Sequence, residues 1–213
     1  MSAPATHTRQ NAVLLGLTRA LLAVALLLGG VWLYARIKSP FPFYGTAYDA
    51  KPAAYVLKGT DQDGRPWTLA QTRGKATLVF FGFTHCPNFC PITLSYLEKA
   101  RARLSAAERA RTAVVFVSVD PERDTPPRLR DYVRFYSPDL TGLHIAPDPL
   151  VQAARAYGVG YQKTPLKGGG YSITHTTATY ALDPQGRLRL VYDYTQVPQV
   201  DRVAADLHEL LRE

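Results

Sequence analysis

Two stretches, ATLVFFG at 76–82 and TAVVFVSV at 112–119, are continuously apolar rather than alternating. A strand with one wet face alternates with period two, so unbroken runs mark strands covered on both faces, as in a parallel sheet with helices on each side. A helical stripe of Leu94, Leu97, Ala100 and Leu104 follows the first run. The second is followed by Pro126–Tyr136, which has Pro near its start and Leu129, Tyr132 and Val133 on one face. Asp148–Tyr157 reads as a further helix, ended at Gly158.

The flanks complete the pattern. Tyr55–Lys58 and Trp67–Leu69 bracket a turn at Asp61–Gly64, an entry hairpin. Gly158–Ser172 is rich in glycine and reads as a long hairpin or a loop, and Thr177–Leu182 and Leu188–Val191 straddle a turn at Asp183–Gly186. Val200, Val203, Ala204, Leu207 and Leu211 lie at helical spacing on a closing helix. Strand–helix–strand units followed by a hairpin and a helix predict an α/β, thioredoxin-like sandwich, a central mixed sheet flanked by helices.

This domain spans about 54–213, enough for one core within the 213 residues. Residues 20–35, ALLAVALLLGGVWLYA, carry no charge over 16 positions. At about 1.5 Å per residue that is roughly 24 Å, so a span of a ~30 Å hydrocarbon core must extend back past Arg19, whose long side chain can snorkel. Trp32 and Tyr34 close the run as an interfacial belt, and no small-residue cleavage signal follows. The reading is a tail at 1–12, a single uncleaved transmembrane anchor at 13–35, and a segment at 36–53 that is a linker or an arm lying on the domain. Arg9 and Arg19 before the span nearly balance Arg36 and Lys38 after it. A short tail inside, with the large domain on the outer (periplasmic or extracellular) side of the cell membrane, is the commoner arrangement and is adopted.

Lys+Arg 25 against Asp+Glu 17 gives +8. The basic residues are spread along the chain except for Arg101–Arg111, where they alternate with Ala, Leu and Glu as a solvated helix face. No nucleic-acid partner is expected.

The two cysteines, Cys86 and Cys90, are too few and too close for a structural disulfide framework and form either a redox pair or half of a metal site. They lie in Gly82-Phe-Thr-His-Cys-Pro-Asn-Phe-Cys-Pro91, where a buried strand gives way to a helix start that stabilises a thiolate. At i and i+4 on a helix both sulfurs would share one face, open enough for chelation. Two thiolates favour Cu(I), with Zn as a competitor, and call for a third ligand. Of the five histidines, His7 precedes the span, His208 falls on a solvated helix face, His144 sits in a short stretch before Pro147, and His85 abuts Cys86. His175 enters the 177–182 strand, at the edge that faces a thioredoxin-type cysteine helix. Where oxidoreductases of that fold carry a cis-proline this chain has none between Pro165 and Pro184, which moves the site from redox exchange toward metal binding.

With GFTHCPNFCP at 82–91, VSVDPERDTP at 117–126 and ITHTTATYALDPQG at 173–186, the chain resembles the Sco/SenC family of membrane-anchored, thioredoxin-fold copper proteins that help assemble cytochrome c oxidase. The resemblance implies copper, as Cu(I) and also Cu(II), on Cys86, Cys90 and His175. It further implies delivery to the dinuclear centre of oxidase subunit II, with other copper chaperones as further partners. A metallochaperone is thus favoured over an enzyme; the rival is a membrane-anchored thiol–disulfide reductase using Cys86 and Cys90. The chain departs from the family pattern at Asn88 and Thr174, where acidic residues are common. The Asp120, Glu122, Arg123 and Asp124 segment reads either as a capped loop ordering the sheet edge or as a docking or ligand-supporting element.

Overall fold

The computed structural model describes the backbone of residues 5–38 and 41–213 and the side chains of 14–34 and 41–213. The first four residues of the tail, positions 39 and 40 of the expected linker, and the side chain of His7 lie outside the described residues. The chain divides into two compact units, Met1–Pro42 and Phe43–Glu213. The first contains helix α1 (Ala5–Lys38), of which the 21 residues Leu14–Tyr34 are long and apolar enough to cross a membrane.

The second unit is built on strands β1 (Thr46–Ala47), β2 (Lys58–Asp61), β3 (Pro66–Thr68), β4 (Ala76–Gly82), β5 (Thr112–Ser118), β6 (Thr141–His144), β7 (Tyr161–Pro165), β8 (Tyr171–His175), β9 (Thr179–Leu182) and β10 (Leu188–Tyr192). Among the described residues, eight form one sheet in the order β1-β10-β9-β4-β5-β6-β2-β3, while β7 and β8 form a separate two-stranded ribbon. The β4–β5 and β5–β6 pairs are parallel and the others antiparallel, so the sheet is mixed. Helices α2 (Phe89–Ala102), α3 (Ala106–Ala110), α4 (Pro126–Tyr136), α5 (Pro147–Ala156) and α6 (Val200–Arg212) complete it.

The two unbroken apolar runs are the two central strands. Every residue of β4 is buried, as is every residue of β5 except Ala113. Phe80, Phe81 and Phe116 are fully enclosed, each contributing about 1.5–3 kcal/mol by leaving water. Pro126 and Pro147 open α4 and α5, where a missing N–H costs nothing because first-turn donors have no helical acceptor. Leu104 is buried beyond the end of α2, and β6 arises from a stretch whose two buried residues, Gly142 and Leu143, are too few to announce a strand.

Asp206 is buried on α6 amid Val203, Leu207 and Leu210. It accepts hydrogen bonds from Tyr44 N (3.0 Å), Gly45 N (2.9 Å) and the Tyr192 hydroxyl (2.9 Å). Together with the β1–β10 pairing and the Ala53–Arg187 bridge, this lays residues 43–53 along the edge of the sheet. Gly45 is required there, because a Cβ would stand 2.6 Å from the Tyr192 ring.

Register decides where the site sits. Gly82 lies opposite Ser118, so the loops leaving β4 and β5 emerge side by side at the C-terminal ends of the parallel strands, the usual place for a site in such sheets. Thr179 lies opposite Phe80, so the residues just before β9 reach the same end.

Candidate metal centre

Cys90 is the second residue of α2, whereas Cys86 lies in the loop before the helix, so the two do not share a helix face as their spacing suggests. A turn closed by Cys86 N to Phe83 O (3.2 Å) brings the first sulfur back instead. Asn88, the residue flanking the helix start, makes no side-chain cap, and Cys86 Sγ accepts the Cys90 N–H at 3.4 Å in its place. Pro91 falls in the first turn, where it deprives no carbonyl of a donor. Gly82 lets β4 pass close beneath: a Cβ would meet Cys90 Sγ at 2.8 Å and the Phe116 ring at 2.7 Å.

His175 is the last residue of β8 and packs edge-on against Phe83 (ring centroids 5.7 Å) and Phe80 (6.1 Å). Its Nδ1 is 2.8 Å from the Thr176 carbonyl. A carbonyl only accepts, so Nδ1 carries a proton, and the neutral ring would then offer its lone pair at Nε2, 3.5 Å from Cys90 Sγ. The structure thus brings all three expected residues together, with one ligand atom from each within 4.8 Å of the others.

Both cysteines are free thiols, Cys86 half-buried and Cys90 enclosed. A hydrogen bond from the Cys90 thiol holds Cys86 well below the ordinary thiol range despite its partial burial, with help from the N–H groups of Cys90 and Asn88. The same bond, burial and the adjacent Cys86 charge push Cys90 up. The two sulfurs are thus coupled and titrate as a pair. Two polarisable sulfurs and a neutral imidazole nitrogen make a soft donor set suited to Cu(I).

The remaining histidines play other parts. His85 Nδ1 lies 3.7 Å from Asp124 Oδ1 and forms a second cluster with Asp120 and Asp124. Those two buried carboxylates are already engaged. Asp124 accepts from Thr84 Oγ1 (2.6 Å), Thr84 N (2.9 Å) and Ser118 Oγ (2.7 Å), and Asp120 from Tyr171 OH (2.6 Å) and Arg123 Nε (2.5 Å). His144, on β6, lies 3.1 Å from the Pro121 carbonyl, and His208 pairs with Glu108. Thr174 and Asn88 are exposed. Tyr171 escaped the sequence reading; the available signal was the period-two series Tyr171, Ile173, His175, which puts all three on one face of a strand.

A mixed sheet flanked by helices, with a Cys-x3-Cys loop at its C-terminal edge and a histidine delivered beside it, defines a thioredoxin-like domain with a two-sulfur, one-nitrogen cluster. The SCO1/SenC family model matches residues 49–212, and the chain belongs to that family. It is 37% identical over 123 residues to the mitochondrial SCO1 homolog 1 of Arabidopsis thaliana, covering 58% of this chain and only 37% of that relative's length. The solution structure of apo Sco1 from Thermus thermophilus superposes with a TM-score of 0.71 at 40% identity, covering 79% of this chain and 96% of that one. The copper-bound structure of Bradyrhizobium japonicum ScoI gives 0.67 at 34% identity, covering 74% and 98%.

Proposed function

We propose that this protein is a copper chaperone: it carries Cu(I) on Cys86, Cys90 and His175, is anchored by residues 13–35, and delivers its cargo to the dinuclear copper centre of cytochrome c oxidase subunit II. The observation that carries the reading is the meeting of two sulfurs with an imidazole whose Nδ1 is held by the Thr176 carbonyl, which turns Nε2 toward Cys90 Sγ. That donor set is complete for a near-trigonal soft ion and is one protein ligand short of a structural zinc site. The copper-bound Bradyrhizobium relative supports the same assignment. The apolar helix supports a membrane tether, which raises effective concentration near a membrane-bound client, and the domain is placed on the outer side of the cell membrane as part of the same proposal.

The test is to titrate the reduced full chain, in detergent micelles, with Cu(I) against a competing chelator, beside His175→Ala. Tight one-to-one binding that weakens at least tenfold in the variant is expected. Binding indifferent to His175 would remove the three-ligand site.

The asymmetry of the cysteines favours a second activity at the same place. The half-exposed Cys86 thiolate would attack a client disulfide to form a mixed disulfide. Cys90 would then displace the client's second sulfur, leaving a Cys86–Cys90 disulfide and a reduced client. Dithiol exchange of this kind survives His175→Ala, whereas copper carriage does not.

A further inference from the structure

His175 belongs to a ribbon that pairs with no strand of the main sheet, because β7 and β8 bond only to each other among the described residues. The start of β9, four residues on, brings the histidine to the right end of the sheet, but no ladder from β8 itself to the main sheet fixes its tilt. Its strand is seated by side chains on one face, Tyr171, Ile173 and His175, spaced two apart. Ile173 is buried in the core and His175 lies against Phe80 and Phe83.

Tyr171 is held more elaborately than a strand-end tyrosine requires. Its hydroxyl donates to Asp120 Oδ1 at 2.6 Å, with Glu122 Oε2 3.3 Å from the same oxygen. Its carbonyl accepts from Arg123 Nη1 at 3.0 Å, and the Arg123 guanidinium lies 3.9 Å from the centre of its ring. Lys163, on the partner strand β7, lies 4.8 Å from the same ring and 2.7 Å from Glu122. Asp120 is fully buried, and its backbone N–H bonds Ser118 Oγ, so the latch is rooted at the end of β5. The same turn also holds the cysteine loop, because Asp124 binds both Thr84 N and Thr84 Oγ1 two residues before Cys86.

We propose that Tyr171 and Arg123 are positioning residues for the third metal ligand: they clamp the β7–β8 ribbon to the 120–124 turn and so set where His175 Nε2 stands relative to the two sulfurs. The clamp acts at the far end of β8, four residues and about 13 Å from the imidazole, so a small tilt there displaces the nitrogen. The 120–124 turn thereby references both halves of the site, thiols and imidazole, to one strand end. This inference rests on the copper reading above. Groups that orient ligands without touching the metal typically change affinity by 10–100-fold.

The experiment is a double-mutant cycle on the reduced full chain in detergent, reading Cu(I) affinity by chelator competition in wild type, Tyr171→Phe, His175→Ala and the double variant. Tyr171→Phe removes one oxygen and keeps the ring; Arg123→Lys, run in the same cycle, breaks the carbonyl contact and the stacking. If the clamp acts through His175, each substitution weakens Cu(I) binding about tenfold in the wild type and leaves it unchanged once His175 is alanine. An equal loss in both backgrounds would make the cluster merely structural and overturn the proposal, as would no loss in the wild type. If His175→Ala itself leaves affinity unmoved, the copper site falls and the clamp falls with it. As a second readout, the imidazole nitrogen splitting in the electron paramagnetic resonance spectrum of the Cu(II)-loaded protein weakens in Tyr171→Phe; an unaltered splitting would also count against the clamp.

Discussion

Gly82 shows how narrowly the site is drawn at the scale of single residues. With a Cβ that would fall 2.8 Å from Cys90 Sγ and 2.7 Å from the Phe116 ring, Gly82→Ala must displace the sulfur, the phenylalanine or the strand. The substitution is expected to cost about 1–3 kcal/mol of stability by overpacking. It should also weaken Cu(I) binding, measured by denaturant unfolding and chelator competition. Full retention of both would show that the pocket can yield. The meeting of Cys86, Cys90 and His175 was legible in the sequence because Cys-x3-Cys is compact and the histidine sits at a strand edge that a thioredoxin-like sheet turns toward it. The way Cys86 reaches Cys90 was not legible. Helical spacing predicts a shared face, whereas the helix begins at Phe89 and the Cys86 sulfur serves as its cap, a choice made by the turn at Phe83–Cys86.

Among the elements, α3 depends on local chemistry more than on packing, since none of its five residues is buried. Ser105 and Glu108 form a reciprocal capping box, and the Ser105 hydroxyl and N–H, with His208 beside them, bring the Glu108 carboxyl down to about 2. A carboxyl lowered in the folded state adds stability above its unfolded value, about 4.3, and that stability is lost as pH falls through the folded one. The melting temperature of Glu108→Gln is therefore expected to lie below that of wild type near neutral pH, with the gap closing as the solution is acidified toward about 2. A gap that held constant or widened on acidification would contradict the cap. Element boundaries followed their sequence signals where those were strong: the unbroken run of β4, the proline that opens α4, the glycine past α5. They were missed where the signal was thin. The two-residue strand β1 carries no periodicity at all, and it forms because Asp206, 160 positions later in the chain, gathers the N–H groups of Tyr44 and Gly45.

Across the whole folded unit, the cysteines and the histidine belong to parts with different fates. Cys90 is enclosed in the first turn of α2, against the end of central strand β4, which has sheet neighbours on both sides. The ribbon that bears His175 has two strands, of which only Ile173 is fully withdrawn from water. Structure with few enclosed apolar groups opens by local fluctuation, at a free energy below that of global unfolding. Amide hydrogens of 171–175 are therefore expected to exchange well ahead of those of 76–82 in the metal-free protein, as native-state exchange read by mass spectrometry would reveal. Equal protection of the two segments would mean that they open as one. On the proposed copper reading, separate opening would grade the ligand set: in mild denaturant the nitrogen would leave while both sulfurs stay, giving a folded state with two ligands before the melt. A bound copper ion would be loosened in that state without the sheet coming apart.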